Sequence, residues 1–138
     1  MTWEEKKAYG DIHEVIAIEK IEKLNNVKCT MRQDDNNFKK MHHDFITSDN
    51  IKYEVKADRK GNLTGNCFIE FLDARKKISG IALSDANFYI IYTHDLYLLI
   101  PIEKLKELTK NVRTASTPKG TLGYIIKWDV VKDASIII

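Results

Sequence analysis

The segment from Asp44 to Glu70, DFITSDNIKYEVKADRKGNLTGNCFIE, decides how the chain is read. Between Ile51 and Ala57 it alternates: Ile51, Tyr53, Val55 and Ala57 fall on one face, and Lys52, Glu54, Lys56 and Asp58 on the other, the pattern of a half-buried strand. A second candidate strand runs from Phe38 to Thr47, separated from the first by the turn-forming residues Ser48, Asp49 and Asn50. Two registers are open. If all three turn residues form the loop, Asp44 stands opposite Glu54 on the same face, with their Cβ atoms roughly 5 Å apart. If only Asp49 and Asn50 form it, the one-residue slip turns Asp44 to the other face. In the first register repulsion and desolvation disfavour two bare carboxylates, and a bound divalent cation removes the conflict. Hard oxygen donors with no thiolate nearby point to Mg²⁺ or Mn²⁺. Lys56 shares the face of Glu54, where an ammonium can help deprotonate a water or offset charge on a phosphate. The plainer reading of the same residues is a solvated strand face on which Glu54 and Lys56 alternate in sign with Lys52 and Asp58.

An acid, then Glu-x-Lys on the next strand and a further Glu on the one after, resembles the PD-(D/E)xK nuclease superfamily. The resemblance implies that Asp44 and Glu54 hold one or two Mg²⁺ ions and that Lys56 assists hydrolysis of a phosphodiester. It also implies an auxiliary role for Glu70, in the strand-like run from Cys67 to Phe71. The sequence departs from the pattern before Asp44, where His43 replaces the proline. Resolvase-like members open with a helix carrying Gly and then a Glu four residues on; here Gly10 and Glu14 match, and Glu14 becomes a further candidate. The other reading of Glu14 is a plain surface acid.

Around this segment the chain reads as a single domain spanning residues 1–138, long enough to bury one core without disulfides. Charges nearly cancel, 22 basic against 20 acidic, so net charge does not decide for or against nucleic acid, and distribution must. Arg59 and Lys60 sit in a glycine-containing loop after the Glu-x-Lys strand, and Arg75, Lys76 and Lys77 form a basic run; these are the candidate DNA-backbone contacts, with solvated turns as the alternative. Ser79 and Ser84 are candidate phosphate hydrogen-bonders, and Arg32, Lys39 and Lys40 flank the polar QDDNN stretch. Cys29 and Cys67 lie in no metal or redox spacing, Met1 to Gly10 is too charged for a signal peptide, and no apolar run approaches a membrane span. A cytoplasmic protein with no membrane partner is the expectation. His42 and His43 adjoin Asp44; strand alternation lets His42 join it and sends His43 to the other face.

Trp3 to Asn26 predicts a helix with Ile12, Val15, Ile16, Ile18, Ile21 and Leu24 as its apolar stripe, and His13 reads as a surface or capping group. Val27 to Arg32 predicts an edge strand, Phe88 to Tyr92 and Leu96 to Ile100 two buried strands, and Ile102 to Asn111 a helix begun by Pro101. A polar loop is expected over Val112 to Gly120 and a last strand over Gly123 to Trp128. The apolar end Ile136-Ile137-Ile138 needs a surface to pack on, in this chain or a partner. The fold expected is α+β: a restriction-endonuclease-like core with a mixed central sheet flanked by helices, its N-terminal helix followed by a three-stranded meander that ends with Cys67 to Phe71. The resemblance then implies a metal-dependent endodeoxyribonuclease, structure-selective in the manner of Holliday-junction resolvases and working as a homodimer. The alternative is an inactive module of the same fold that binds nucleic acid or protein.

Overall fold

Thr2 starts the first helix by a reciprocal cap. Its hydroxyl accepts from the Glu5 N–H at 3.1 Å, and its own N–H donates to the Glu5 carboxylate at 3.2 Å. The computed structural model, which describes residues 2–31, 42–59 and 61–138, carries helix α1 from there over Trp3–Asn25 without a break at Gly10. Asn26 ends it in the left-handed conformation, φ 52°. Its inward side is not the stripe read from hydrophobicity alone. His13, Ala17 and Ile21, four residues apart, are buried with Ile16 and Ile18 beside them, whereas Ile12, Val15 and Leu24 are exposed.

The main sheet has six strands in the order β1 (Cys29–Met31), β2 (Phe45–Thr47), β3 (Lys52–Ala57), β5 (Phe88–Thr93), β6 (Leu96–Pro101) and β9 (Ile136–Ile137). Only β3 and β5 run parallel. The mixed sheet and the α+β class are as expected; the third strand of the meander is not. The antiparallel meander is β1-β2-β3, and β4 (Asn66–Leu72) leaves it to form a second sheet with β8 (Leu122–Lys127) and β7 (Thr114–Ser116). The physical reason is burial. Strand β5 is apolar on both faces and occupies the centre of the main sheet beside β3. Cys67, Ile69 and Phe71 of β4, with Tyr124 and Ile126 of β8, make a one-sided apolar surface that closes over Tyr89, Ile91, Leu98 and Ile100. On the opposite face of the main sheet α1 covers Phe45, Tyr53, Ile90 and Leu99. The part of the predicted strand before residue 42, with Arg32, Lys39, Lys40 and the QDDNN stretch, lies outside the described residues.

Shorter elements complete the layers. Helix α2 (Gly61–Thr64) follows β3, and a 3-10 turn at Gly80–Ala82 leads to β5. Helix α3 (Ile102–Leu108) stops three residues before the predicted end and buries Ile102 and Leu105. Trp128 does not end a strand but opens helix α4 (Trp128–Asp133), and β7 lies within the stretch expected to be loop. The C-terminal residues pair by their backbone with the edge of β6 as β9, and Ile138 packs against the core, but the side chains of Ile136 and Ile137 stay exposed. Among the described residues no helix is long and apolar enough to cross a membrane.

His13 contradicts the surface reading. Its ring stacks on Tyr92 with centroids 3.7 Å apart, meets Tyr9 edge-on at 4.5 Å, and shares a 2.6 Å hydrogen bond through Nδ1 with the Tyr97 hydroxyl. Lys20 lies over the Tyr97 ring and Arg59 over the Tyr9 ring, and the Tyr92 hydroxyl donates to the Asp95 carboxylate at 3.1 Å. Burial holds its pKa below the ordinary histidine value. The unfolded chain therefore binds the proton more readily, and stability present above about pH 6.5 is lost as pH falls toward the folded pKa. The melting temperature is expected to drop between about pH 7.5 and 5, and to drop less in His13→Phe; equal pH dependence in both proteins would rule the titration of His13 out.

Candidate active site

The turn after β2 sets the register. The Thr47 N–H donates to the Ile51 carbonyl at 2.9 Å, the Asn50 N–H donates to the Thr47 carbonyl at 2.8 Å, and Asn50 takes a left-handed φ of 67°. Asparagine tolerates that conformation better than most residues. The Thr47 hydroxyl accepts the Ile51 N–H at 3.0 Å and donates to the Asp49 carboxylate. Ser48, Asp49 and Asn50 thus form the loop, with Phe45 opposite Tyr53 and Ile46 opposite Lys52. Beyond the last ladder pair the Asp44 N–H also donates to the Tyr53 carbonyl at 2.8 Å, an irregular step at which the chain enters β2. The Asp44 carboxylate nonetheless reaches β3, where it accepts the Val55 N–H, and its charge acts on Lys56. Of the two registers open in the sequence, the three-residue loop is the one the structure adopts.

Each charged group there has a defined neighbour. One oxygen of Asp44 accepts the Val55 N–H at 2.7 Å, so the carboxylate takes the place of a strand acceptor where β2 has ended. A carboxylate has about four lone-pair positions, and one N–H leaves others for a cation. Lys56 Nζ lies 3.2 Å from Glu54 Oε1, with the Glu54 side chain 13% exposed and that of Lys56 46% exposed. Desolvation works to lower the Lys56 pKa, but the carboxylates of Glu54 and Asp44 outweigh it and hold the ammonium above its ordinary value. Tyr89 is in register with Glu54 on the adjoining strand, 1% exposed. Its hydroxyl has no hydrogen-bond partner among the described residues. Burial and then the charge on Glu54 push its pKa up to about 12, against the opposing pull of Lys56 and the Ser84 hydroxyl.

The segment bearing Asp44 is fastened to the loop before β5. The Ser84 hydroxyl donates to the His42 carbonyl at 3.0 Å, and the Asp85 N–H donates to it at 3.1 Å. His43, 3% exposed, donates from Nδ1 to the Asp85 carboxylate at 2.9 Å, and Lys52 approaches the same carboxylate at 3.5 Å. Burial would raise the Asp85 pKa, but His43 and then Lys52 prevail and hold it below the ordinary value. His43 is therefore a buried anchor that ties this segment to Asp85.

The other residues singled out in the sequence do not converge on this cluster. Glu14 is half-buried on α1, and α1 covers the opposite face of the main sheet. Glu70 belongs to β4 in the second sheet, where it alternates with the buried Cys67 and Ile69 and so faces away from the main sheet. Both differ from expectation because the third strand of the meander is elsewhere and α1 lies across Tyr53 rather than beside Glu54. Arg59 is exposed, its guanidinium 5.3 Å from the Tyr9 ring centroid; Lys60 lies outside the described residues. Arg75, Lys76 and Lys77 are exposed on the turn that leaves β4. The Asp73 carboxylate organises that turn by accepting the N–H groups of Arg75 at 2.8 Å and Lys77 at 3.0 Å and pairing with the Arg75 guanidinium at 3.2 Å. Among the described residues no three His, Cys, Asp or Glu side chains form a metal-holding group; the donor set at the cluster is the two carboxylates.

Sequence reasoning missed Tyr89 and Asp85. Asp85 gave only a loop signal, and Tyr89 sits in an apolar run where its ring accounts for its presence. Comparison of the chain with protein-family models, with curated proteins and with solved structures finds no match.

Proposed function

We propose that the chain is a metal-dependent endodeoxyribonuclease of the PD-(D/E)xK type. In this reading Asp44 and Glu54 hold Mg²⁺ or Mn²⁺, and Lys56 is the charged group that meets the phosphate. The observation that carries the reading is that Lys56 pairs with Glu54 at 3.2 Å while the charges of both Glu54 and Asp44 act on its ammonium. The donor set fits the ion: two hard carboxylates suit Mg²⁺, which keeps several waters and takes one or two carboxylates together with substrate phosphates. When bound, the cation supplies Lewis-acid polarisation of a phosphoryl oxygen and makes water a stronger nucleophile at neutral pH.

The chain's own groups divide the remaining work. The Val55 N–H fixes the orientation of Asp44. Lys56, held charged by two carboxylates, suits stabilisation of charge on the phosphate rather than proton abstraction. Arg59, Lys60, Arg75, Lys76 and Lys77 are the proposed contacts to the DNA backbone. Glu14 and Glu70 lie too far around the fold to count as ligands in this reading. The restriction-endonuclease-like core would comprise α1 with β2, β3 and β5, working in a reducing cytoplasm where Cys29 and Cys67 remain the thiols they are here. Homodimeric action on a branched DNA junction is its narrower form.

The metal half of the reading is tested without catalysis. Mg²⁺ or Mn²⁺ at about 100 times its Kd is expected to stabilise the protein by ~2.7 kcal/mol, a rise in melting temperature of roughly 10 °C. Glu54→Gln should lose most of that rise. A wild-type melting temperature indifferent to both ions removes the proposed metal site.

A further inference from the structure

Two residues of the loop before β5, Asp85 and Asn87, hold both strands of the candidate site. Asn87 clasps the start of β3: its side-chain oxygen accepts the Lys52 N–H at 2.9 Å, and its own N–H donates to the Lys52 carbonyl at 2.8 Å. Asp85 clasps the segment that leads into β2. Its N–H donates to the His42 carbonyl at 3.1 Å, and one carboxylate oxygen accepts from His43 Nδ1 at 2.9 Å. The other oxygen faces Lys52 Nζ at 3.5 Å, so one residue ties the Asp44 segment to the strand that carries Glu54 and Lys56.

Asp44 needs such a tie. It precedes β2, whose regular pairing begins at Phe45, and its own N–H makes an irregular step to Tyr53. An aspartate side chain is short, so the place of its carboxylate follows the backbone beneath it. The groups that orient a ligand then matter to a metal nearly as much as the ligand itself. His43 adjoins Asp44 in the chain and is 3% exposed, and its buried ring N–H is satisfied by Asp85. We infer that Asp85 is a positioning residue of the proposed metal site: by fixing the His43 ring it sets the Asp44 backbone, and so the Asp44 carboxylate, where it can share a cation with Glu54. This rests on the nuclease reading above and deepens it. Asp85 touches neither cation nor phosphate, since both of its oxygens are engaged within the chain.

Asp85→Ala and Asp85→Asn separate this role from a plain ion pair. The asparagine keeps an oxygen for His43 and loses the charge that faces Lys52; the alanine loses both. Mn²⁺ affinity is read, without catalysis, from the rise in melting temperature as the ion is titrated, and affinity for a short duplex DNA is measured in EDTA. The Kd for Mn²⁺ is expected to rise roughly 10–100-fold in Asp85→Ala, the usual cost of losing a group behind a metal ligand, and less than about threefold in Asp85→Asn. Duplex affinity in EDTA should stay at the wild-type value in both. His43→Phe, which fills the buried space but cannot donate to Asp85, carries the same prediction as the alanine variant and replaces it should that variant be unfolded at the assay temperature. A Kd in Asp85→Ala within about threefold of wild type overturns the inference and leaves the nuclease reading standing. Equal weakening in Asp85→Ala and Asp85→Asn overturns it too, since the charge opposite Lys52 would then be what matters, and so does a matching loss of duplex affinity in EDTA, the mark of a generally loosened fold. A wild-type protein whose melting temperature ignores Mn²⁺ overturns both.

Discussion

Glu54→Gln and Lys56→Ala are each expected to lower metal-dependent DNA cleavage by about 10²-fold or more while leaving the fold intact. Removing one preorganised electrostatic contact to a developing charge typically costs 10²–10³ in rate. Glu54→Gln keeps the shape of a 13% exposed side chain and removes only its charge, and Lys56 is exposed enough for alanine to leave no cavity. Their melting temperatures should separate the two effects. Asp44→Asn retains an oxygen that can accept the Val55 N–H, so it too should fold, with activity lost. Lys56→Arg is not expected to restore full rate, because a planar guanidinium does not reproduce a compact ammonium. Single-turnover rates on one labelled duplex check all four variants. If Glu54→Gln and Lys56→Ala cleave at the wild-type rate, the chemistry lies elsewhere in the molecule.

Gly80→Ala should be the most damaging small substitution in the chain. Gly80 has φ 52°, where a Cβ is unfavourable, and the added Cβ would stand well inside van der Waals contact distance of the Glu70 carbonyl oxygen. The obstacle is backbone, which cannot swing aside as a side chain can. Left-handed strain of about 1 kcal/mol and overpacking of about 1–3 kcal/mol together predict destabilisation of roughly 2–4 kcal/mol. Denaturant unfolding measures it, and a loss within 0.5 kcal/mol of zero would mean that the turn relaxes freely, contrary to this packing. Gly80 begins the turn that connects the second sheet to β5, so activity should fall alongside stability through Tyr89 and the Ser84 anchor.

The local part of this architecture was legible in the sequence. Ser48, Asp49 and Asn50 carry the chemistry of a three-residue turn, and Asn50 accepts the left-handed conformation that closes it, which sets Phe45 opposite Tyr53. The neighbours of β3 were not legible. Consecutive strands often pair, which favoured β4 as the next strand, yet β5 takes that position in parallel, and nothing local distinguishes the two arrangements. Glu70 was misassigned with its strand and Glu14 with its helix face. Tyr89 and His13 went unrecognised for a related reason: their environments are built from residues far off in the chain, Glu54 in one case and Tyr92 and Tyr97 in the other. A polar tip on an apolar strand and a lone histidine on a helix carry no local mark of what they meet. The C-terminal isoleucines carried no local sign that they would pair with the edge of β6, or that Ile136 and Ile137 would remain exposed there.

Cleavage by the wild-type protein tests the central claim most directly. End-labelled duplex, single-stranded and four-way-junction DNA should be incubated with it in Mg²⁺, in Mn²⁺ and in EDTA. The account predicts internal cutting of at least one of these substrates with either metal and none in EDTA, the preferred substrate showing whether selectivity is for structure. No cutting of any substrate with either metal, or cutting that persists in EDTA, would contradict it.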